Sequence, residues 1–161
     1  YGYFTIHTLQ QRSEIIALAK AVAALKPKIV LEIGTARGGT LLVWSSLASK
    51  KVISCDLVHR VPQKPLLEAL PPPGSGCQVQ LLTGNSHQAD FKQQVAQALN
   101  GAKADFLFID GDHTETGVEQ DYNDYREFVR PGGIIAFHDI IENRAPSGGD
   151  DGNGDSYSVV K

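Results

Sequence analysis

The 161-residue chain predicts an α/β fold, a doubly wound and mostly parallel sheet with helices on both faces. Three observations predict it. Short apolar runs rich in Val, Ile, Leu and Phe alternate with stretches of helical period. The run Ile29–Ile33 passes directly into a turn containing Gly34, Gly38 and Gly39, and then into a helix. Polar residues also stand at or near the C-terminal ends of successive strands: Glu32, Asp56, Asn85, Asp110 and Asp139. In an open α/β sheet that edge carries the ligand. A set of ordinary polar loop residues is the plainer reading of the same pattern.

Taken in order, Tyr1 to Gln11 is an aromatic and polar arm, suited to lie over a site or against a partner subunit of a homo-oligomer. Ser13 is a candidate cap for a helix in which Ile15, Leu18, Val22 and Leu25 share a face, and Pro27 stops it. Ile29–Ile33 is a β-branched central strand. A charge at Glu32 within it is costly unless paired, so it should have a partner. The glycines after it let the backbone turn tightly and approach a ligand with no Cβ in the way. Thr40 to Leu47 is the next helix, and Val52–Asp56 the second strand. Leu57 to Pro65 is a loop, Leu66 to Leu70 a short helical piece, and Pro71 to Gly76 a stiff connector.

Val79–Thr83 is the third strand, followed by Gly84-Asn85-Ser86. Phe91 to Leu99 is helical, with Phe91, Val95, Ala98 and Leu99 on one face. Ala104–Asp110 is the fourth strand. A helix is predicted over Thr114–Val129, ended by Pro131 and Gly132, and a fifth strand over Ile134–His138 with Asp139 at its end. Asn143 to Ser156 is rich in Gly, Asp and Asn and reads as a mobile loop. Ser158 to Lys161 opens a further element, so the single domain, residues 1–161, is expected to be incomplete at its C-terminus.

Composition narrows the function. The net charge is −3 and the chain is 42% hydrophobic, which argues for a globular protein and against nucleic acid or an anionic membrane as partner. No apolar run is long enough for a membrane helix, and no signal peptide is visible. Cys55 and Cys77 lack metal-site spacing, and two reduced thiols in the cytoplasm are the expectation.

Asp56 follows the glycine turn by about the 20-residue interval at which dinucleotide folds place a ribose-binding acid. Yet Ala36 stands where a pyrophosphate-binding turn needs glycine. An adenosine without phosphates therefore fits better than a dinucleotide. Further on, Asp110, Asp112 and His113 share one turn, and His138-Asp139 ends the neighbouring strand. Asp110 and Asp139 are placed to converge on a hard cation such as Mg²⁺, Ca²⁺ or Mn²⁺. Other readings stand beside this one. Asp110 suits a helix cap, Asp112 and Thr114 compete for the same role, His113 suits a loop histidine that caps or packs, and His138 a buried structural histidine. His7, His59 and His87 read as surface residues.

The stretch Glu32-Ile33-Gly34-Thr35-Ala36-Arg37-Gly38 resembles the E-x-G-x-x-x-G motif of class I S-adenosylmethionine-dependent methyltransferases. The segments IDGDHTETGVEQDY and PGGIIAFHD resemble their metal-dependent O-methyltransferase branch, which includes macrolide-sugar, rhamnosyl and cephalosporin-pathway enzymes. The likeness runs from about Gln11 to Asp139. It implies a Rossmann-like fold and an enzyme that methylates a hydroxyl of a small molecule. Glu32, Gly34, Thr35, Ala36 and Gly38 would hold the methionine half of the cofactor, Asp56 the ribose, and Asn85 and Ser86 the adenine. Asp110, also placed at the cofactor and among the catalytic residues, would bind Mg²⁺ with Asp139, and with His138 as a third ligand. His113 would be the general base. Ile140 stands where catechol-type relatives carry an Asn ligand. A nicotinamide-dependent oxidoreductase and a non-catalytic cofactor-binding domain are the alternatives, and Ala36 counts against the first.

Overall fold

The computed structural model describes residue 10, residues 12–60 and 62–138, and the backbone of 158–160. The elements run α1 (Arg12–Leu25), β1 (Ile29–Ile33), α2 (Gly39–Leu47), β2 (Lys51–Asp56), α3 (Lys64–Glu68) and β3 (Gln78–Thr83). Then follow α4 (Ala89–Leu99), β4 (Ala104–Ile109), α5 (Glu115–Tyr125), β5 (Val129–Phe137) and β6 (Ser158–Val160). The N-terminal arm apart from Gln10, the Asn143–Ser156 segment, Asp139 and Ile140 lie outside the described residues.

The sheet order is β3-β2-β1-β4-β5-β6. The first five strands are parallel, and β6 joins β5 antiparallel. β1 is central because the chain winds outward through β2 and β3, then crosses back to β4. That reversal leaves a crevice at the carboxyl ends of β1 and β4.

The alternation of the strands sorts the core into two layers. Val30, Val52, Phe106 and Phe108 pack with Ile15, Leu18 and Val22 of α1 and with Leu41 and Trp44 of α2. Leu31, Ile33, Ile53, Leu107 and Ile109 pack on the other face with Phe91 and Val95 of α4 and Tyr125 of α5. All five residues of β1 are buried, as a strand covered on both faces requires. Trp44 meets the rings of Phe106 and Phe108 edge-on at 4.9 and 5.4 Å. As the sole tryptophan, it is an internal fluorescence probe of unfolding.

At the opposite end of the sheet, Asp105 ties three strands together. Its carboxylate accepts from the amides of Lys28 and Ile29 at 2.7 and 2.9 Å, and from Arg130 Nε at 2.6 Å. Burial pushes this carboxyl up, but the guanidinium and the two amides outweigh it and hold it below its ordinary value.

Several boundaries differ from the sequence expectation: α1 already includes Ser13, and α3 runs Lys64–Glu68 rather than Leu66 to Leu70. α5 ends at Tyr125, and Arg126–Phe128 tightens into a 3₁₀ turn, so the helix is shorter than Thr114–Val129. β5 starts at Val129 and includes Pro131 and Gly132, the residues expected to precede it. The β4–β5 register shifts between Ala104 and Phe106, whose partners are Val129 and Ile134. The extra residues form an irregularity where a proline without N–H is tolerated. A Cβ on Gly133 would lie 2.8 Å from the Asp105 carbonyl oxygen, which explains a glycine there. Among the described residues, no helix is long and apolar enough to cross a membrane.

Candidate active site

The glycine turn is fastened before any ligand arrives. Gly34 N–H donates to the Cys55 carbonyl at 2.8 Å, and Asp110 N–H donates to the Ile33 carbonyl at 2.8 Å. Gly34 has φ +100°, a conformation that L side chains rarely adopt. Asp56 Oδ2 accepts from the amides of Thr35 and Ala36 at 3.0 and 2.8 Å, and its Oδ1 from the amide of Val58 at 3.1 Å. The acid at the end of β2 is thus a staple across the turn. A carboxylate offers about four acceptor positions, so one remains for a ligand hydroxyl.

A cavity of about 470 Å³ opens at the carboxyl edge of β1, β2 and β4. Gly34, Ala36, Asp56, Asn85, Ser86, Asp110 and His113 all line it. Most of the residues expected at the site are therefore brought together. Glu32, Thr35, Gly38 and His138 are not among the lining residues. Gly38 is used for packing, since a Cβ there would meet Leu67 Cδ2 at 2.3 Å. Asn85 Oδ1 accepts from the His87 amide at 2.9 Å. Its carboxamide nitrogen is then the group left for recognition.

Glu32 is fully buried and accepts a hydrogen bond from Ser54 Oγ, the partner the sequence asked for. Desolvation pushes its carboxyl up to about 7, against the pull of Ser54, Thr40 and Trp44, with Asp110 adding to the rise. The folded value lies above the ordinary 4.5. This contribution to stability is thus full below about pH 4.5 and is lost as pH rises through about 7, amounting to roughly 3 kcal/mol. Glu32→Gln should remove that slope. Urea unfolding followed by Trp44 fluorescence at pH 5 and pH 8.5 is expected to show the variant gaining on the wild type at the higher pH; parallel losses in both would contradict it.

At the other end of the cavity, Asp110 gathers two imidazoles. Its Oδ1 lies 3.0 Å from His138 Nδ1 and 3.9 Å from His113 Nε2. Gln10 Nε2 donates to Asp110 Oδ2 at 2.9 Å, so the end of the N-terminal arm reaches this carboxylate. One ligand atom from each of Asp110, His113 and His138 lies within 4.8 Å of the others, close enough to share one cation. His138 is buried and His113 exposed, so only His113 is open to the solvent side. Thr114, not Asp110 or Asp112, caps α5: its Oγ1 accepts from the Gly117 amide at 3.1 Å. Asp112 Oδ1 holds the Thr114 amide at 2.8 Å.

The comparisons give the family and the fold. The rhamnosyl O-methyltransferase/CmcI family matches residues 1–156. The chain belongs to that family. Solved structures share its fold. An O-methyltransferase from Bacillus cereus in complex with SAH is 20% identical, with a TM-score of 0.64 over 84% of this chain and 59% of its own. MycE, a methyltransferase of the mycinamycin biosynthetic pathway in complex with Mg and SAH, is 20% identical, with a TM-score of 0.61 over 76% of this chain and 33% of its own. A methyltransferase from Thiobacillus denitrificans in complex with S-adenosyl-L-homocysteine is 20% identical, with a TM-score of 0.60 over 89% and 54%. The chain thus spans between a third and three fifths of these proteins.

Two histidines are not the surface residues expected from sequence. His59 is buried, with Nε2 3.0 Å from Thr35 Oγ1 and Nδ1 2.9 Å from Thr83 Oγ1. His87 lines the cavity with Nε2 3.3 Å from the buried carboxylate of Asp121. Both contacts join residues far apart in the chain, so no local spacing announces them. Burial pushes the Asp121 carboxyl up, against the pull of Ser86 and His87.

Proposed function

We propose that this chain is the catalytic domain of an S-adenosylmethionine-dependent O-methyltransferase acting on a hydroxyl of a small molecule with the help of a divalent cation. The observation that carries the reading is one cavity edge holding two sets of groups. The adenosyl side consists of Gly34, Ala36, Asp56, Asn85 and Ser86, and the chemical side of Asp110 and His113. The cavity lies within the range of about 300–1,000 Å³ usual for small-molecule sites.

The residues fit both groups. Asp56 offers its remaining acceptor position to a ribose hydroxyl, and Asn85 and Ser86 face the base. Asp110 and His138 would hold the cation, with Asp139 as a further oxygen ligand. The carboxylates suit Mg²⁺, and the imidazole also suits Mn²⁺. When bound, the cofactor supplies a methyl group on a sulfonium, and the cation acidifies an alcohol. The chain's own task is then alignment and proton transfer. Alignment alone contributes about 7–11 kcal/mol to lowering such a barrier. His113 takes the hydroxyl proton, and Asp110 beside it stabilises the imidazolium that forms. The MycE complex with Mg, SAH and Mycinamycin VI supports a small-molecule acceptor. Two unpaired cysteines, Cys55 buried and Cys77 half-buried, suit the reducing cytoplasm.

A nicotinamide oxidoreductase is not favoured. Ala36 has φ +44° and occupies the position where close pyrophosphate approach needs glycine. Transfer of a labelled methyl group to rhamnosyl, macrolide and phenolic acceptors tests the reading. His113→Ala should lower kcat by at least about 10²-fold with little change in cofactor KM. A wild-type rate at every pH in that variant would leave the imidazole out of the chemistry.

A further inference from the structure

Beneath the glycine turn, five side chains form one continuous line of hydrogen bonds. Ser54 Oγ on β2 donates to Glu32 Oε2 on β1. Thr35 Oγ1, in the turn itself, lies 2.6 Å from Ser54 Oγ. His59 Nε2, in the loop after β2, lies 3.0 Å from Thr35 Oγ1. His59 Nδ1 lies 2.9 Å from Thr83 Oγ1 at the end of β3. Glu32, Ser54, Thr35 and His59 are all buried, whereas Thr83 is exposed. The line therefore leads from solvent to a carboxyl with no surface of its own.

Proton counting fixes its direction. An ionised Glu32 has no hydrogen to give, so Ser54 donates to it. Ser54 has then spent its one hydrogen, so Thr35 donates to Ser54 at 2.6 Å, in preference to the Cys55 carbonyl 3.3 Å away. Thr35 is spent in turn, so His59 Nε2 carries the hydrogen and donates to Thr35. The neutral ring then has a bare Nδ1, which accepts from Thr83. Protonating Glu32 permits the reverse order: Glu32 to Ser54, Ser54 to Thr35, Thr35 to Nε2, and Nδ1–H to Thr83. The exchange balances with one proton, taken from water at Thr83 and ending on Glu32, while each hydroxyl and the imidazole pass one hydrogen along. The imidazole changes tautomer in the process.

We propose that His59 is a positioning residue for the cofactor turn, the middle link of a relay Thr83–His59–Thr35–Ser54–Glu32 that holds Thr35 in place and ties its hydrogen-bond direction to the charge on Glu32. This rests on the reading that the turn binds the adenosyl cofactor. Thr35 is the point of leverage. Its hydroxyl is bound by the relay, while its amide and that of Ala36 are bound by Asp56. The charged and titratable groups around the relay are few. Asp110 and Cys55 act on Glu32, and Asp56 and Lys64 act on His59. Burial pushes the His59 ring down and Lys64 adds to this, while Asp56 pulls the other way. The ring is thus neutral when the carboxyl titrates, as the two-tautomer scheme requires.

Two measurements on the chain test this. Long-range ¹H–¹⁵N NMR should find His59 in the Nε2–H tautomer above about pH 8, and moving to Nδ1–H as pH falls below about 6, with Glu32→Gln abolishing the change. A tautomer indifferent to pH in the wild type overturns the relay, and this readout needs neither cofactor nor catalysis. Calorimetry with S-adenosylhomocysteine should show His59→Phe binding about tenfold more weakly, with His59→Gln partly restoring affinity. Equal affinity in a folded His59→Phe overturns the positioning role. Failure of the wild type to bind that ligand would sink the cofactor reading instead, with the tautomer result still deciding the relay.

Discussion

Asp110→Ala is expected to reduce methyl transfer by about 10³-fold or more, equivalent to roughly 4 kcal/mol of barrier, while leaving affinity for S-adenosylhomocysteine within a few-fold. The asymmetry follows from what the carboxylate touches. Its Oδ1 is the common neighbour of His138 Nδ1 and His113 Nε2, and its Oδ2 accepts from Gln10. On the proposed reading, losing it removes a cation ligand and the carboxylate that neighbours His113. Its side chain is not what fastens the turn; the Asp110 main chain does that, through its amide on the Ile33 carbonyl. Single-turnover transfer of a labelled methyl group, paired with calorimetry, separates the two effects. Unchanged turnover would remove the carboxylate from the mechanism.

Gly34→Ala should be the most destabilising change in the turn, costing at least about 3–5 kcal/mol. An added Cβ would lie 2.0 Å from the carbonyl oxygen of Asp110 and 2.5 Å from its carbon. These are backbone atoms, pinned by hydrogen bonds on both sides, so β1 and β4 would have to part at the very edge that forms the cavity. Gly38→Ala is the control. Its Cβ meets only the end of the Leu67 side chain, with φ +80°, and should cost about 1–2 kcal/mol. Urea unfolding followed by Trp44 fluorescence should rank the two variants in that order. Equal losses would mean that the strand edge relaxes freely.

Much of this was legible in the sequence for a physical reason. Strands covered on both faces must be apolar throughout, so β1 and β4 announce themselves, and the glycine turn marks which strand leads. Asp56, Asn85, Ser86, Asp110 and His113 follow because a parallel sheet sends the carboxyl ends of all its strands to one edge. What escaped notice depends on contacts between distant residues. His59 sits in an unremarkable loop and becomes buried only because Thr35 and Thr83 come to it through the fold. His87 likewise meets Asp121 across two elements. Pro131 and Gly132 misled because a β-irregularity and a helix terminator use the same residues.

The central claim is that the bend after β1 receives an adenosyl group with no phosphates. Calorimetric titration of the chain with S-adenosylhomocysteine and, separately, with NAD tests this most directly. Saturable one-to-one binding of the first and none of the second is the expected result. Saturable binding of NAD with no response to S-adenosylhomocysteine would contradict it.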